Sequence, residues 1–187
     1  MAKGTAPTPM KRTLPLSGRH GGGGLVSILP AEPAFRIALR ARPDALGALS
    51  RALGLELPVK PKSSVTTGTR TALWLGPDEW LLIDTGDKDL AADLAKVKAL
   101  HSAVDVSQRN TAILVSGLGA EATINAGCPQ DLALAAFPIG AVSRTVLGKI
   151  EIVLWRTGEY SFRIECWRSF SDYAFTFLSE AARDAVV

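Results

Sequence analysis

The chain has 187 residues, of which 47% are hydrophobic, and this length suits one large domain or two small halves packed together. Its net charge of +3 comes from residues 1–24, which hold four basic residues and no acid, leaving 17 basic and 18 acidic residues in the rest. Because the predicted folded part is balanced in charge, the composition argues against a nucleic-acid-binding protein.

Membrane and secretory proteins are also disfavoured. The longest apolar runs, such as residues 112–115 and 152–155, are far shorter than the roughly 20 residues that cross a bilayer. The first 24 residues lack the apolar stretch of a secretory signal. The only cysteines are Cys128 and Cys166, so we expect a reducing, cytoplasmic location and two free thiols packed as small hydrophobic side chains.

The N-terminal segment, residues 1–24, is rich in Gly, Pro, Thr and Lys and has almost no apolar periodicity. It cannot bury enough surface to offset the entropy of ordering, and we predict disorder up to Gly24. His20 and the four glycines after it match an oxyanion segment of some esterases, but the chain has no G-x-S-x-G nucleophile motif. We interpret this stretch as a linker.

The first folded half, residues 25–108, is predicted to follow the order β-α-β-β-α-β. Strands are indicated by alternating apolar residues and helices by apolar residues at helical spacing. The predicted elements are a strand at 34–41, a helix from Pro43 to Leu53 ended by Gly54, a surface connection at 55–69, hairpin strands at 70–75 and 80–85, a helix at 90–100 capped by Asp87 or Asp89, and a strand at 104–107.

The second half, residues 109–187, repeats this order of elements. The predicted elements are a strand at 111–116, a turn and helix at 117–127, a helical or irregular stretch at 129–140, strands at 142–147, 150–156 and 160–167, and a final helix that starts at Ser169 or Ser171 and runs through Ala181. The fold class is therefore predicted to be α+β, with residues 25–187 forming a single domain of two similar ferredoxin-like half-units, each a strand, a helix, a hairpin and a helix.

A short pattern occurs once in each half: LWLGPDEWLLI at residues 73–83 and LWRTGEYSFRI at residues 154–164. We interpret both as the hairpin that leads into the second helix of its half. Trp74 and Trp155 lie in strands and are predicted to anchor their hairpins on the helices. Trp80 and Trp167, like these two, are assigned to the core or to a subunit interface.

The sharpest match to a nucleotide-binding motif is G-x-G-x-x-A at residues 117–122. A dinucleotide site also needs an acidic residue about 20 positions further on, where this chain has Phe137 and Pro138. We therefore interpret the glycines as a tight strand-to-helix turn. His20 and His101 are the only histidines, too few for a Cys-His metal site, and we expect His101 to complement the C-terminal end of a helix dipole.

The carboxylates of the second half do not form a recognisable catalytic pair. Glu151 and Glu165 lie in alternating strands and are expected to face solvent or a partner. No catalytic, cofactor-binding or metal-binding residue is predicted. The acids weighed for such a role are Asp105, Asp131, Glu151, Glu159 and Glu165.

Residues 104–164 resemble the folate-binding aminomethyltransferase family of the glycine cleavage system. The chain shows in the same order the V-D-V-S strand at 104–107, the V-x-G-x-x-A turn at 115–120, a D-L…G segment at 131–140 and a hairpin carrying an aromatic residue. With the LWLGPDEWLL hairpin and the short length, residues 25–187 are similar to the gamma-subunit family of heterotetrameric sarcosine oxidases.

This resemblance implies a scaffold without the family's chemistry. The aminomethyltransferases carry a catalytic aspartate in a Gly-Gly-x-x-Asp-Asp context, whereas residues 147–152 here read LGKIEI, with Glu151 near the expected position. The resemblance implies a non-catalytic subunit of an enzyme that oxidises sarcosine to glycine and transfers the one-carbon unit to tetrahydrofolate. The alpha, beta and delta subunits are the implied partners, mainly the large alpha subunit, and they are expected to carry FAD, FMN, NAD and tetrahydrofolate.

Two other interpretations stay open at this point. A stand-alone folate-dependent aminomethyltransferase or folate-binding protein would place Glu151 and Asp105 near the ligand. A small-molecule-binding or adaptor module of another kind would fit the same composition.

Overall fold

A computed structural model of the chain describes residues 14–86 and 89–185. Its strands are β1 (Gly21–Gly23), β2 (Val26–Pro30), β3 (Phe35–Ala41), β4 (Ser64–Thr67), β5 (Arg70–Gly76), β6 (Glu79–Asp84), β7 (His101–Asp105), β8 (Asn110–Ser116), β9 (Val142–Leu147), β10 (Ile150–Gly158) and β11 (Ser161–Trp167). Its α-helices are α1 (Leu46–Leu53), α2 (Leu90–Ala95), α3 (Ala120–Asn125) and α4 (Ser171–Asp184), with 3₁₀ turns at Pro43–Ala45 and Arg168–Phe170.

The described part of the chain forms two antiparallel sheets. The five-stranded sheet has the order β4-β5-β6-β3-β7, and the six-stranded sheet has the order β1-β2-β8-β11-β10-β9. In the first sheet, β3, β5, β6 and β7 take the strand positions of a ferredoxin-like unit, with β4 added outside β5. The predicted α+β class with two similar half-units is confirmed.

The second sheet completes its ferredoxin-like unit with a strand from the other end of the chain. β8, β10 and β11 correspond to β3, β5 and β6, and β9 is added outside β10 as β4 is outside β5. The fourth position, beside β8, is filled by β2, which pairs antiparallel with it. Residues 26–30, expected in the first half, therefore belong to the sheet of the second half.

The sheets and helices form four layers. Helices α1 and α2 cover one face of the five-stranded sheet, and α3 and α4 cover one face of the six-stranded sheet. The other faces of the two sheets pack against each other through a third core, which includes Leu73, Leu81, Ile83, Val106 and Val142. Side chains that alternate along each strand therefore point either to helices or to the opposite sheet.

The glycines at the start of the described region contradict the predicted linker and the predicted disorder of residues 14–24. Gly21–Gly23 pair antiparallel with β2, and a Cβ at Gly21 would collide with Ser179 of α4. These glycines allow the chain to pass close to the helix. Residues 1–13 lie outside the described residues.

The glycines of the G-x-G-x-x-A motif form the expected tight turn before α3. Gly117 has φ +118°, and a Cβ there would collide with the carbonyl oxygen of Leu25. At Gly119 a Cβ would contact Val26. The space that a pyrophosphate would need at this turn is occupied by the chain that leads into β2.

Three other predictions were wrong around the first half. The predicted surface connection contains β4, which adds to the sheet beside β5. The predicted helix at 90–100 ends at Ala95, and β7 begins at His101, before the predicted strand. Asp89 caps α2 by accepting hydrogen bonds from the backbone of Ala91 and Ala92, while Asp87 lies outside the described residues.

Candidate functional site

Three buried charges meet between the two sheets. The carboxylate of Glu165 in β11, only 2% exposed, accepts hydrogen bonds from Arg36 Nε at 2.7 Å and from Arg163 Nε at 2.8 Å. Arg36 lies in β3 of the opposite sheet, so the ion cluster joins the two sheets. In the low-dielectric interior, removal of any one of the three charged groups would leave another buried charge unpaired, at a large cost in free energy.

This cluster contradicts the expectation that Glu165 faces solvent or a partner. Alternation places Glu165 on the face of β11 away from the helices, but that face is covered by the other sheet. Sequence patterns could have suggested the pairing only through the presence of two arginines, Arg36 and Arg163, within otherwise apolar strands. Nothing in the spacing shows that Arg36, 129 positions away, reaches Glu165.

A second set of ion pairs ties the first sheet to its helices. The guanidinium of Arg70 in β5 donates to Asp84 at 2.9 Å, to Asp93 of α2 at 3.0 Å and to the carbonyl of Leu53 at 2.6 Å. Burial acts to raise the pKa of Asp84, but hydrogen bonds from Thr69, Gly86 and Arg70 outweigh it and hold that pKa below its ordinary value. Hydrogen bonds from Arg70 and Lys96 lower the pKa of Asp93.

A third arginine, Arg156 of β10, organises the stretch between α3 and β9. Its fully buried guanidinium donates to the carbonyls of Leu132 at 3.1 Å, Phe137 at 2.9 Å and Glu159 at 2.9 Å, and it pairs with Glu121. It also lies over the ring of Phe162. The irregular stretch predicted at 129–140 is thus held in place by the side chain of Arg156, which lies outside that stretch and could not be predicted from the sequence of residues 129–140.

Two clefts open at the edges of the layer between the sheets. The larger, of about 390 Å³, is lined by residues of the β2–β3 connection, the end of β6 and the β7–β8 turn, including Arg36, Asp84, Ser107 and Asn110. The smaller, of about 270 Å³, is lined by Arg109, Arg144, Glu151, Glu165 and Trp167 together with apolar residues of both sheets.

Of the acids considered from sequence, Glu151 and Glu165 both line the smaller cleft, but no hydrogen bond joins them to each other, and Asp105, Asp131 and Glu159 line neither cleft. Asp105 ends β7 and accepts a hydrogen bond from the backbone of Ser107 at 2.8 Å. Glu151 lies in β10 with its side chain 63% exposed, and its nearest cation is Arg144 at 3.8 Å. Asp131 bonds the backbone of Ala133, and Glu159 is exposed beside Arg156.

The histidines and cysteines have structural positions. His101 lies in β7, with Nδ1 donating to the carbonyl of Ala99 at 2.8 Å, so its predicted role at a helix end is wrong because α2 ends earlier. His20 is exposed immediately before β1. Cys128 and Cys166 are free and buried, as predicted, and burial, with the nearby charge of Glu165, raises the pKa of Cys166 to about 12.

The four tryptophans differ in their surroundings. Trp80 is buried and donates to the carbonyl of Pro58 at 2.8 Å, and Trp74 packs with the core under α1 and α2. Trp155 faces the opposite sheet, so its predicted packing on the helices is wrong: a shift of one position along the strand reverses the face. Trp167 is 42% exposed and stacks on Phe170.

No group of three or more His, Cys, Asp or Glu side chains that could hold a metal occurs within residues 14–86 and 89–185. None of the helices in that same part of the chain is long and apolar enough to span a membrane. The buried acids Glu165 and Asp84 and the partly exposed Asp93 are bonded to arginines that join strands and helices. Chemically, these groups stabilise the relative positions of elements.

The two packed sheets with their helices form a fold that solved structures of other proteins share. Glycine cleavage system aminomethyltransferase T from Bartonella henselae shares the fold, with a TM-score of 0.62 at 13% identity over 86% of this chain and 49% of that one. A chain of the heterotetrameric sarcosine oxidase from Corynebacterium sp. U-96, solved with pyrrole 2-carboxylate, is more similar, with a TM-score of 0.82 at 28% identity over 89% of both chains.

Sequence comparison is more specific. The model of the "Sarcosine oxidase, gamma subunit family" matches residues 38–184. Sarcosine oxidase subunit gamma of Corynebacterium sp. (strain P-1) is 35% identical over 166 residues, which cover 84% of this chain and 80% of that protein. The subunit gamma of Arthrobacter sp. is 35% identical over 148 residues, 75% and 72% of the two chains. The chain belongs to the sarcosine oxidase gamma subunit family.

Proposed function

We propose that this chain is the non-catalytic gamma subunit of a heterotetrameric sarcosine oxidase. The observation that carries the proposal is its membership of the gamma subunit family, matched over residues 38–184. The complex would oxidatively demethylate sarcosine to glycine and pass the one-carbon unit to tetrahydrofolate. The chain would act in the cytoplasm, mainly against the large alpha subunit, with the beta and delta subunits completing the assembly.

The ion pairs of the acids Glu165, Asp84 and Asp93 support a non-catalytic role. Glu165 is saturated by Arg36 and Arg163, and Asp84 and Asp93 are bonded to Arg70. A general acid or base must be within hydrogen-bond reach of a substrate, and these carboxylates already hold arginines of their own chain. On this proposal FAD, FMN, NAD and tetrahydrofolate are bound by the partner subunits.

Co-expression tests the proposal. The four subunits are produced together and purified through a tag on the alpha subunit, in parallel with a preparation that omits this chain. We expect the chain to co-purify in equal proportion with the other subunits, and the preparation without it to give less assembled complex. The role would be refuted if the other subunits assembled completely without this chain, or if the complex purified from the four-subunit preparation did not contain it.

Titration calorimetry with tetrahydrofolate separates this role from that of a stand-alone folate-binding protein. Asp105 and Glu151, which the latter would place at the ligand, belong to different sheets, and only Glu151 lines one of the two clefts. We expect no micromolar binding to the isolated chain. Micromolar binding that is lost in Glu151→Gln would favour the folate-binding protein.

A further inference from the structure

We propose that Arg109, Trp167 and Phe170 form the contact by which this chain docks on its partner subunit, and that Arg109 there binds a carboxylate side chain of the partner. The inference rests on the proposed function, because it assigns a surface to the assembly. These three side chains are called the aromatic platform below.

The platform is built from two separate segments held together by the backbone. Trp167 is the last residue of β11 and Phe170 ends the following 3₁₀ turn, while Arg109 lies in the turn between β7 and β8. The two rings stack with their centroids 5.7 Å apart and their planes 13° apart, and the guanidinium carbon of Arg109 lies 4.2 Å from the Trp167 ring centroid. The backbone N–H of Arg168 donates to the carbonyl of Arg109 at 2.7 Å.

This arrangement leaves apolar surface exposed in a fixed geometry. Trp167 is 42% and Phe170 38% exposed. Trp and Arg are the residues most enriched among those that dominate binding energies at protein interfaces. Side chains already stacked in the free chain lose less conformational freedom on binding, so more of their contact energy appears as affinity.

The charge of Arg109 specifies the chemistry of the partner. Among residues 14–86 and 89–185, no carboxylate pairs with Arg109, whereas Arg36 and Arg156 each pair with one and Arg70 pairs with two. A guanidinium stacked on an indole keeps its N–H edge available, and that edge matches a carboxylate in a bidentate geometry. The platform therefore fits an aspartate or glutamate set among apolar residues.

The adjoining cleft offers room for one of those apolar residues. Arg109 and Trp167 both line the cleft of about 270 Å³, and its apolar lining includes Leu75, Leu81 and Val153. Interfaces commonly combine a side chain buried in a pocket with an aromatic and arginine contact beside it. One partner segment could thus fill the cleft and present its acid to Arg109.

The test measures binding of the purified full chain to a tagged complex of the other subunits by biolayer interferometry. The variants are Arg109→Glu, which reverses the charge on the surface, and Trp167→Ala, which removes the platform. The matched controls are Arg183→Glu and Tyr160→Ala, which change an exposed arginine and an exposed aromatic residue elsewhere. Thermal melting of each free chain checks that it remains folded.

We expect about a tenfold or greater increase in Kd for Arg109→Glu and for Trp167→Ala, and less than about a threefold change for either control. A third variant, Arg109→Ala, removes the charge without reversing it. Added salt should weaken the binding of the wild-type chain more than the binding of this variant. If the wild-type chain binds and both platform variants bind with the same Kd as the wild type, the inference is overturned while the proposed function stays intact. Failure of the wild-type chain to bind at all would overturn the proposed function instead.

Discussion

At the scale of single residues, the carboxylate of Glu165 links the two sheets through its arginine partners. It is bonded by one arginine from each sheet. The hydrogen bonds from Arg36 also fix the start of β3, because Arg36 donates to the carbonyl of Ala34 at 3.1 Å. Loss of the acid would leave two guanidinium groups unpaired in the interior.

We therefore expect Glu165→Ala to lower the free energy of unfolding by about 3–5 kcal/mol, the usual cost of breaking a buried ion pair from one side. Denaturant unfolding of the isolated chain measures it. The matched control is Glu180→Ala, which removes an exposed partner of Arg183 and should cost less than about 1 kcal/mol. Similar values for the two variants would show that the cluster does not stabilise the fold.

The raised pKa of Cys166 gives a second prediction at this scale. With burial and Glu165 holding the pKa at about 12, the thiolate fraction at pH 8 is on the order of 10⁻⁴. We expect no rapid reaction of Cys166 with a disulfide reagent in the native chain and full reaction in guanidinium chloride. Rapid labelling of Cys166 in the folded chain, located by mass spectrometry, would contradict its burial.

At the scale of elements, Arg156 fixes the stretch between α3 and β9. Replacing it would leave the carbonyls of Leu132 and Phe137 without their donor and Glu121 without its cation. We expect Arg156→Met to destabilise the chain by about 3–5 kcal/mol and to speed amide exchange most in residues 132–140. Hydrogen exchange measured by mass spectrometry, with Arg183→Met as the surface control, tests this. Unchanged exchange in that stretch would refute the role of Arg156.

The elements also show what the sequence determines. Local signals were sufficient for β9, whose bounds match the prediction, for the end of α1 at Gly54 and for the start of α4 at Ser171. They failed where a distant segment decides the outcome. β1 and β4 form because a neighbouring strand supplies their hydrogen bonds. Leu100 continues the apolar helical spacing past Ala95, but its side chain is largely exposed, so it gives no packing that would extend the helix.

The same distinction applies to the site. Sequence could identify the exposed Glu151 and the two buried cysteines, since their local patterns are sufficient. It could not identify the cluster of Arg36, Arg163 and Glu165 or the stack of Arg109 on Trp167, because both depend on which segments the sheets bring together.

At the scale of the whole molecule, the pairs of Arg70 make stability depend on pH. The folded pKa values of Asp84 and Asp93 lie below the ordinary value of 3.8. Carboxylates with lowered pKa stabilise the fold above pH 3.8, and this contribution is lost as the pH falls through the lower folded value. The melting temperature should therefore decrease below about pH 4.

Asp84→Asn tests this dependence. The variant should be less stable than the wild-type chain at pH 7, and its melting temperature should change less between pH 5 and pH 2. Melting curves followed by circular dichroism at several pH values measure both. An equally steep decrease in the variant would show that other acids control the acid limb.

The whole account depends on the chain acting as a subunit. Native mass spectrometry of the sarcosine oxidase complex, purified from cells that express this chain at its natural level, tests that claim most directly. We predict an intact assembly of four different chains that releases a chain of 19.8 kDa on gas-phase dissociation. An active complex whose mass is accounted for without this chain would contradict the claim.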